Sequence, residues 1–255
     1  MAGCNPSISV VVPVWNEDVR NLSALYSRLT ATLDQLAQTW EIVFVDDAST
    51  GPVVAALNAL STECTAVRVI RLDRHRGQDT ATVMGLLHAR GTIICTMDGD
   101  LEHRPEELPM LIKPLHRGYD LVFGRRRAGP GSSITRRVFS RAITRLMNLR
   151  WQTAISDWGC AFNAGKRPIF EELRDTLPRW QGEPLKKGFI RLAARWTEVE
   201  VSHDPRQHGR SRYTWGQRWR RGFQLVGGGQ RVAPVACAEY DPRWNGGSHE
   251  SGCGV

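Results

Sequence analysis

The chain has 255 residues, 41% of them hydrophobic and 24% charged, with a formal net charge of +8. These proportions suit one sizeable folded domain, or a domain plus a small appendage, and exclude an intrinsically disordered chain. The positive charge favours a polyanionic partner, whether phosphates, nucleic acid or an anionic membrane surface.

Ile8 to Val12 is a β-branched run ended by Pro13, which reads as a buried strand. From about Asp18 to Gln38, Leu22, Leu25, Leu29, Leu33 and Leu36 recur at helical spacing. Glu41 to Val45 is a second strand running into Asp46-Asp47-Ala48-Ser49-Thr50, followed by a helix near Val53 to Leu60 and a third strand over Val67 to Leu72. A helix over Asp79 to Ala89 leads to a fourth strand, Thr92 to Met97. Pro105 to His116 is helical, with Pro105, Glu106 and Glu107 suited to a first turn, and Leu121 to Phe123 is a fifth strand. Such alternation predicts a parallel, Rossmann-like α/β sheet with helices on both faces, and ligands then bind beyond the carboxyl ends of the strands. Asp46 and Asp47 close the second strand and Asp98 and Asp100 the fourth, so both acidic groups are expected at one edge.

Gly124 to Arg150 holds eight arginines and no acidic residue. Within it Val138, Phe139, Ala142, Ile143, Leu146 and Met147 form one face of a basic amphipathic helix, about 132–150, flanked by Arg137, Arg141 and Arg145. That pattern fits a surface-seeking helix, or a domain helix whose arginines are solvated. A second basic run, Arg206 to Arg221, interleaves six arginines with Tyr213, Trp215 and Trp219. Residues 1–7 read as a short extension and 226–255 as a poorly ordered tail. The six cysteines form no C-x-x-C pair and read as reduced thiols. No signal peptide is expected, nor any run of the ~18 apolar residues that a membrane helix needs. A cytoplasmic protein, at most peripheral at the inner face of the membrane, is the expectation.

Asp98-Gly99-Asp100 offers two carboxylates on one turning segment, suited to a hard cation such as Mg²⁺ or Mn²⁺ completed by diphosphate oxygens and water. Asp47 is placed to accept from a nucleobase or ribose; one acid of the Asp46-Asp47 pair is equally explained by a capping turn. Gly77, Ala81, Gly85 and Ala89 leave one helix face almost without bulk, and Gly85 calls for a packing reason. Arg206, Arg210 and Arg212, with Arg125 to Arg127, suit a phosphate clamp or a solvated basic loop.

Taken together these segments resemble the family-two inverting glycosyltransferases of the GT-A fold. Within them the chain is most similar to dolichyl-phosphate mannose synthases and bacterial undecaprenyl-phosphate sugar transferases. The resemblance spans about 8–225. It runs through Val12-Pro13-Val14-Trp15-Asn16-Glu17, Val45 to Ser49, the Gly77/Ala81/Gly85/Ala89/Gly91 spacing and Met97 to Glu102. Gly124-Arg125-Arg126, Ser156-Asp157 and Arg206 to Tyr213 continue it. It implies that Pro13, Trp15, Glu17, Asp47 and Asp98 line a UDP- or GDP-sugar pocket, and that Asp98, Asp100 and Glu102 hold the metal. Arg126, Arg206 and Arg212 would grip phosphate, with Asp157 a candidate base and Asp100 beside it at the reaction centre. The implied acceptor is a polyprenyl phosphate, and the implied cofactor Mg²⁺ or Mn²⁺. Glu102 stands where a Gln is usual and His75 where an Asn is common. Two rival functions fit less of the pattern. Transfer to a saccharide or small molecule uses the same fold. A non-catalytic basic binding protein, including one for nucleic acid, leaves the strand-end carboxylates unexplained, so no nucleic-acid partner is expected. Nothing in the sequence signals a particular oligomeric state.

Overall fold

The computed structural model describes residues 5–127, 134–176, 184–205 and 237–239. Its strands are β1 (Ile8–Val14), β2 (Trp40–Asp46), β3 (Val67–Leu72), β4 (Ile93–Thr96), β5 (Leu121–Arg126), β6 (Asn163–Lys166), β7 (Trp196–Val201) and β8 (Cys237–Glu239). Its helices are α1 (Val19–Gln35), α2 (Pro52–Glu63), α3 (Gln78–His88), α4 (Leu108–His116), α5 (Ile134–Trp151), α6 (Arg167–Thr176) and α7 (Leu185–Leu192). The strands form one sheet in the order β7-β5-β6-β4-β1-β2-β3-β8. The β1–β2, β2–β3, β1–β4 and β5–β7 pairs are parallel, whereas β6 runs antiparallel to both β4 and β5. The mostly parallel α/β sheet read from the sequence is therefore present, with one reversed strand in its middle. Cys237–Glu239, inside the segment expected to be a tail, pairs antiparallel with β3.

Alternation along β1 explains the layering. Val10, Val12 and Val14 face α1, which inserts Leu22, Leu25, Leu29 and Leu33, and α4, which inserts Leu108, Leu111 and Leu115. Val11 faces the opposite layer, where Ala81 and Met84 of α3 meet Phe170 of α6 and Phe189 of α7. Each such side chain contributes about 1.5–3 kcal/mol relative to exposure, so β1, buried on both faces, anchors the sheet. Gly85 has the packing reason its position called for: a Cβ there would overlap Val11 and lie 2.8 Å from Val45 Cγ2. The bare face of α3 thus lies directly on β1 and β2.

Two of the boundaries that differ from the sequence reading have a plain physical cause. First, β1 continues through Pro13 to Val14. Val11 C=O accepts from Met97 N on the β4 side and Val14 C=O accepts from Asp47 N on the β2 side. By alternation the missing N–H of Pro13 would face the β4 side, beyond the last β1–β4 pair at Val11 and Thr96. No ladder bond is lost, so proline is tolerated inside the strand. Second, α1 ends at Gln35 rather than near Gln38, because Ala37 takes a left-handed φ of 51°. Its start is set by Asp18, whose side chain accepts from Arg20 N at 2.9 Å.

Candidate functional site

Neighbouring strands β4, β1 and β2 end at the same edge, and their following loops meet there. Three non-glycine residues in these loops adopt left-handed φ: Asn16 (47°), Ala48 (57°) and Leu101 (61°). Leu101 is also 1% exposed. A branched residue in that region costs energy and persists only where its surroundings impose it, and such strain gathers at functional sites.

The β1 and β2 loops are tied together. Asn16 N–H donates to Ser49 Oγ at 2.8 Å, and Thr50 N–H donates to Asn16 Oδ1 at 2.7 Å. Asp46 is accounted for by the turn: its Oδ1 accepts from Ser49 N and its Oδ2 pairs with Arg71 at 2.9 Å. Asp47, 2% exposed, reaches across instead to the loop ahead of α3. Its Oδ1 accepts from Arg76 N at 2.7 Å and its Oδ2 from Gly77 N at 2.8 Å. His75 Nδ1 lies 2.8 Å from the same Oδ2, and the His75 ring stacks on Trp15 with centroids 3.9 Å apart. Glu17 is half-buried; its Oε1 accepts from Asp18 N and from Asn21 Nδ2, so it braces the start of α1.

Next along that loop, Gln78 Nε2 donates to Asp98 Oδ1. A single turn, His75 to Gln78, therefore touches both acidic loops. A Cβ on Gly99 would stand 3.5 Å from the Pro13 carbonyl, which puts the Asp98–Asp100 turn against the end of β1. Asp98 is half-buried, and Asp100 is 4% exposed with Oδ1 accepting from Glu102 N at 3.1 Å. Glu102 Oε2 lies 3.9 Å from His203 Nε2. Among the described residues no group of three or more His, Cys, Asp or Glu side chains is arranged to hold a metal ion. The three-carboxylate set expected of Asp98, Asp100 and Glu102 is thus not assembled as a cage among the described residues. Two carboxylates, with the other ligands supplied by a bound diphosphate and water, still suit Mg²⁺ or Mn²⁺. His203 Nδ1 is buried without a hydrogen-bond partner beside them, a polar group the fold leaves uncompensated.

At the end of β5, Arg126 and Asp157 form a paired unit. Asp157 Oδ2 accepts from Arg126 Nε at 2.7 Å and from its backbone N at 3.1 Å, while Oδ1 accepts from Nη2 at 2.8 Å and from Gly159 N at 3.0 Å. Burial pushes the Asp157 carboxyl up, but the Arg126 bonds and charge overcome it and bring it down to about 2. Burial likewise opposes the Arg126 charge, and Asp157 more than restores it, so the guanidinium pKa is raised. Lys186, 6% exposed, donates to the Asp157 carbonyl at 2.7 Å and sits 4.8 Å over the Phe123 ring. Its ammonium pKa is lowered by burial. His203 joins this unit to the acidic turn. Burial and then the Arg126 charge lower its pKa, against Glu102, Asp100 and Asp157.

Pro13, Trp15, Asp47, Asp98 and Asp100 are therefore brought to one rim, and Arg126 with Asp157 borders it. Arg206 and Arg212 lie outside the described residues, although the segment leading to them is laced to the acidic turn. His103 Nδ1 bonds the Ser202 carbonyl at 3.2 Å, Asp204 N donates to Glu102 O at 2.8 Å, and Arg104 pairs with Asp204. Sequence reasoning missed Gln78, His103, Lys186 and His203. Only Lys186 left a signal: helical spacing places it beside Phe189 and Ile190 on an apolar face.

Residues 9–174 match the model of Glycosyl transferase family 2. Among curated relatives, the undecaprenyl-phosphate 4-deoxy-4-formamido-L-arabinose transferase of Aeromonas hydrophila is 35% identical over 207 residues, 81% of this chain and 62% of the relative. Its Serratia proteamaculans counterpart is 36% identical over 81% of this chain and 63% of the relative. The chain thus spans a little under two thirds of their length. A Pyrobaculum calidifontis mannosyltransferase, solved with GDP-Man and Mn²⁺, superposes with a TM-score of 0.57 at 19% identity, over 81% of this chain and 59% of that one. Glucosyl-3-phosphoglycerate synthase from Mycobacterium tuberculosis, solved with Mn²⁺, UDP and phosphoglyceric acid, gives 0.59 at 19% identity, over 92% and 87%. At these identities the structural likeness speaks for the GT-A fold. Motifs, sheet, shared rim and family match converge: this chain belongs to glycosyl transferase family 2.

Proposed function

We propose that the chain transfers a sugar from a UDP- or GDP-sugar to a polyprenyl phosphate, with inversion and with a divalent metal ion. The observation that carries the proposal is the His75–Gln78 turn, which bonds Asp47 through Arg76 N and Gly77 N and Asp98 through Gln78. It binds a base-side loop and a diphosphate-side loop into one site. Mg²⁺ or Mn²⁺ held by Asp98 and Asp100 would neutralise the charge that develops on the leaving nucleoside diphosphate. Trp15 supplies an aromatic surface at the base end, and Arg126 a guanidinium for phosphate oxygens, fixed in direction by Asp157. The acceptor oxygen attacks the anomeric carbon as the nucleotide departs. A phosphate monoester is already largely ionised near neutrality, so positioning and charge compensation supply most of the rate without a strong base. Asp157, held as a carboxylate, then acts by aiming Arg126. The names of the curated relatives favour a lipid-phosphate acceptor over a saccharide.

Nucleotide sugars screened by thermal shift with Mn²⁺ should raise the melting temperature for one UDP- or GDP-sugar, followed by transfer to polyprenyl phosphate but not to free sugars. No shift with any of them, with or without Mn²⁺, would overturn the proposal.

No helix among the described residues is long and apolar enough to cross a membrane. The face of α5 offers another contact. Met147 and Trp151 are buried, whereas Leu146 is 46% and Leu149 79% exposed, next to exposed Arg141, Arg145 and Arg150. Leu146, expected on the helix's apolar face with Met147, thus faces outward. We infer a peripheral site at the inner, anionic membrane surface, each basic residue contributing about 1 kcal/mol. Flotation with anionic vesicles should be lost in high salt; equal flotation with neutral vesicles would refute the electrostatic contribution.

A further inference from the structure

Helix α5 is docked by its last turn. Of the side chains described on it, those from Ser140 to Leu146 are exposed or half-buried, and only Met147 and Trp151 are buried. Among the described residues neither of these belongs to the apolar layers that cover the two faces of the sheet. What the last turn holds instead is the loop that carries Asp157. Gln152 takes a left-handed φ of 51° just beyond the helix, and Asn148 then binds the segment that follows at four points. Its backbone carbonyl accepts from Thr153 N at 3.1 Å, and its Nδ2 donates to the Ile155 carbonyl at 2.8 Å. Its Oδ1 accepts from Thr153 Oγ1 and from Trp158 Nε1, both at 3.1 Å. From the side of β7, Glu198 Oε1 accepts from Ser156 N at 2.8 Å. Asp157 thus sits between two tethered neighbours, and one of them, Trp158, is tethered to α5.

We propose that α5 is a lever, and that seating its outer face on an anionic lipid surface raises turnover by setting the Asp157 loop through Asn148. The outer face suits that occupant. Exposed Leu146 and Leu149 lie among exposed Arg141, Arg145 and Arg150, and no acidic residue occurs from Gly124 to Arg150. Asn148 stands between Met147, 1% exposed, and Leu149, 79% exposed, so one turn faces both the domain and the surface. A rotation of the helix about that turn passes to Ile155 and Trp158 and then to the Asp157 carboxylate. Arg126 follows, because its Nε, Nη2 and backbone N all donate to that carboxylate. A displacement of about 1 Å at a positioned group can cost on the order of a hundredfold in rate. A surface that fixes α5 therefore changes kcat, and not only where the enzyme resides. Asn148 is a positioning residue that acts through Asp157. The loops that end β1 and β2 take no part in this linkage, so binding of the donor nucleotide is independent of it.

The inference rests on the membrane contact proposed above, and the test separates the two. The full chain is assayed with a short-chain, water-soluble polyprenyl phosphate, alone and with anionic or neutral vesicles. Anionic vesicles should raise the wild-type kcat about fivefold or more, and neutral vesicles should not. Anionic vesicles should also slow deuterium exchange at the backbone amides of 153–159. Asn148→Ala should still float with anionic vesicles and bind the nucleotide with Mn²⁺ as wild type does. Its kcat with and without vesicles should agree within about twofold, below the range expected of coupled sites. A merely structural Asn148 would instead lower nucleotide affinity and melting temperature and leave the vesicle effect in place. Trp158→Phe keeps a ring and drops the N–H, and should weaken the vesicle effect in the same sense. The exchange measurement on wild type needs neither a variant nor turnover, and it decides the matter even if Asn148→Ala folds poorly. Wild type that floats without any change in kcat or exchange would make α5 an anchor only and overturn the proposal. Full stimulation of Asn148→Ala would do so too, as would self-association through α5 in place of flotation, which would assign that face to a second copy. If the chain does not float with anionic vesicles, the membrane contact itself is misassigned and this inference goes with it.

Discussion

Asp98→Ala is expected to lower transfer about a thousandfold or more while leaving the melting temperature within a few degrees of wild type. The carboxylate is half-buried at a loop and accepts from the side chain of Gln78. Removing it disturbs little of the core, and changes of this kind usually cost ~1 kcal/mol or less. Its absence leaves the departing diphosphate without a partner for the charge it gains, a transition-state loss of several kcal/mol, and each 1.4 kcal/mol is about tenfold in rate. Asp100→Ala should lose as much transfer and more stability. Asp100 is 4% exposed, and its Oδ1 accepts from Glu102 N across Leu101, held at a φ of 61°. Without that acceptor the strained turn has less to impose it. Calorimetry with nucleotide in the presence and absence of Mn²⁺, beside steady-state transfer, checks both variants. Wild-type turnover by Asp98→Ala would remove the acidic turn from the mechanism, and a collapse of its melting temperature would make it a structural element instead.

What could be read from the sequence was whatever depends on local pattern. β-branched runs at β1, β2 and β3 and leucine spacing in α1 showed which segments are strands or helix and which helix face is covered, because each must bury its own apolar side chains. The position of Asp47, Asp98 and Asp100 followed, since a residue that closes a parallel strand must lie at the carboxyl edge. Partnerships between distant segments were not legible. Asn163 to Lys166 contains no apolar alternation, yet it forms the reversed strand β6, with Phe170 so close over Gly165 that a Cβ there would stand 2.7 Å from its Cζ. That reversal brings the Asp157 loop back beside the end of β5. The sequence could name Asp157 and Arg126 separately, but not that 31 positions close into a single ion pair. Nor could it show that Glu102 turns towards His203, or that His75 occupies both Trp15 and Asp47.

That ion pair yields the second large effect. Asp157→Ala should destabilise the protein by about 3 kcal/mol, because it strands a half-buried guanidinium that made two bonds, beside a third from the Arg126 backbone N–H, to one carboxylate. For a chain of this size the melting temperature should fall by roughly 10 °C. Asp157→Asn preserves shape but not charge, and should fall between. Acid titration offers a separate check. The folded carboxyl ionises at about 2 and the unfolded one near 3.8, so the pair's contribution is complete above the higher value and is lost as pH falls through the lower. Wild type should lose about 2 kcal/mol across that window, and Asp157→Asn should lack that component. The same carboxyl cannot then shape the rate near neutrality. If it served as the base, the wild-type profile of kcat against pH would show a limb removed by Asp157→Asn. If it aims Arg126, transfer and stability fall together and the profile keeps its form above about pH 5. A weakened kcat/KM that follows the phosphate-bearing substrates, without a new ionisation, is the outcome the buried pair predicts.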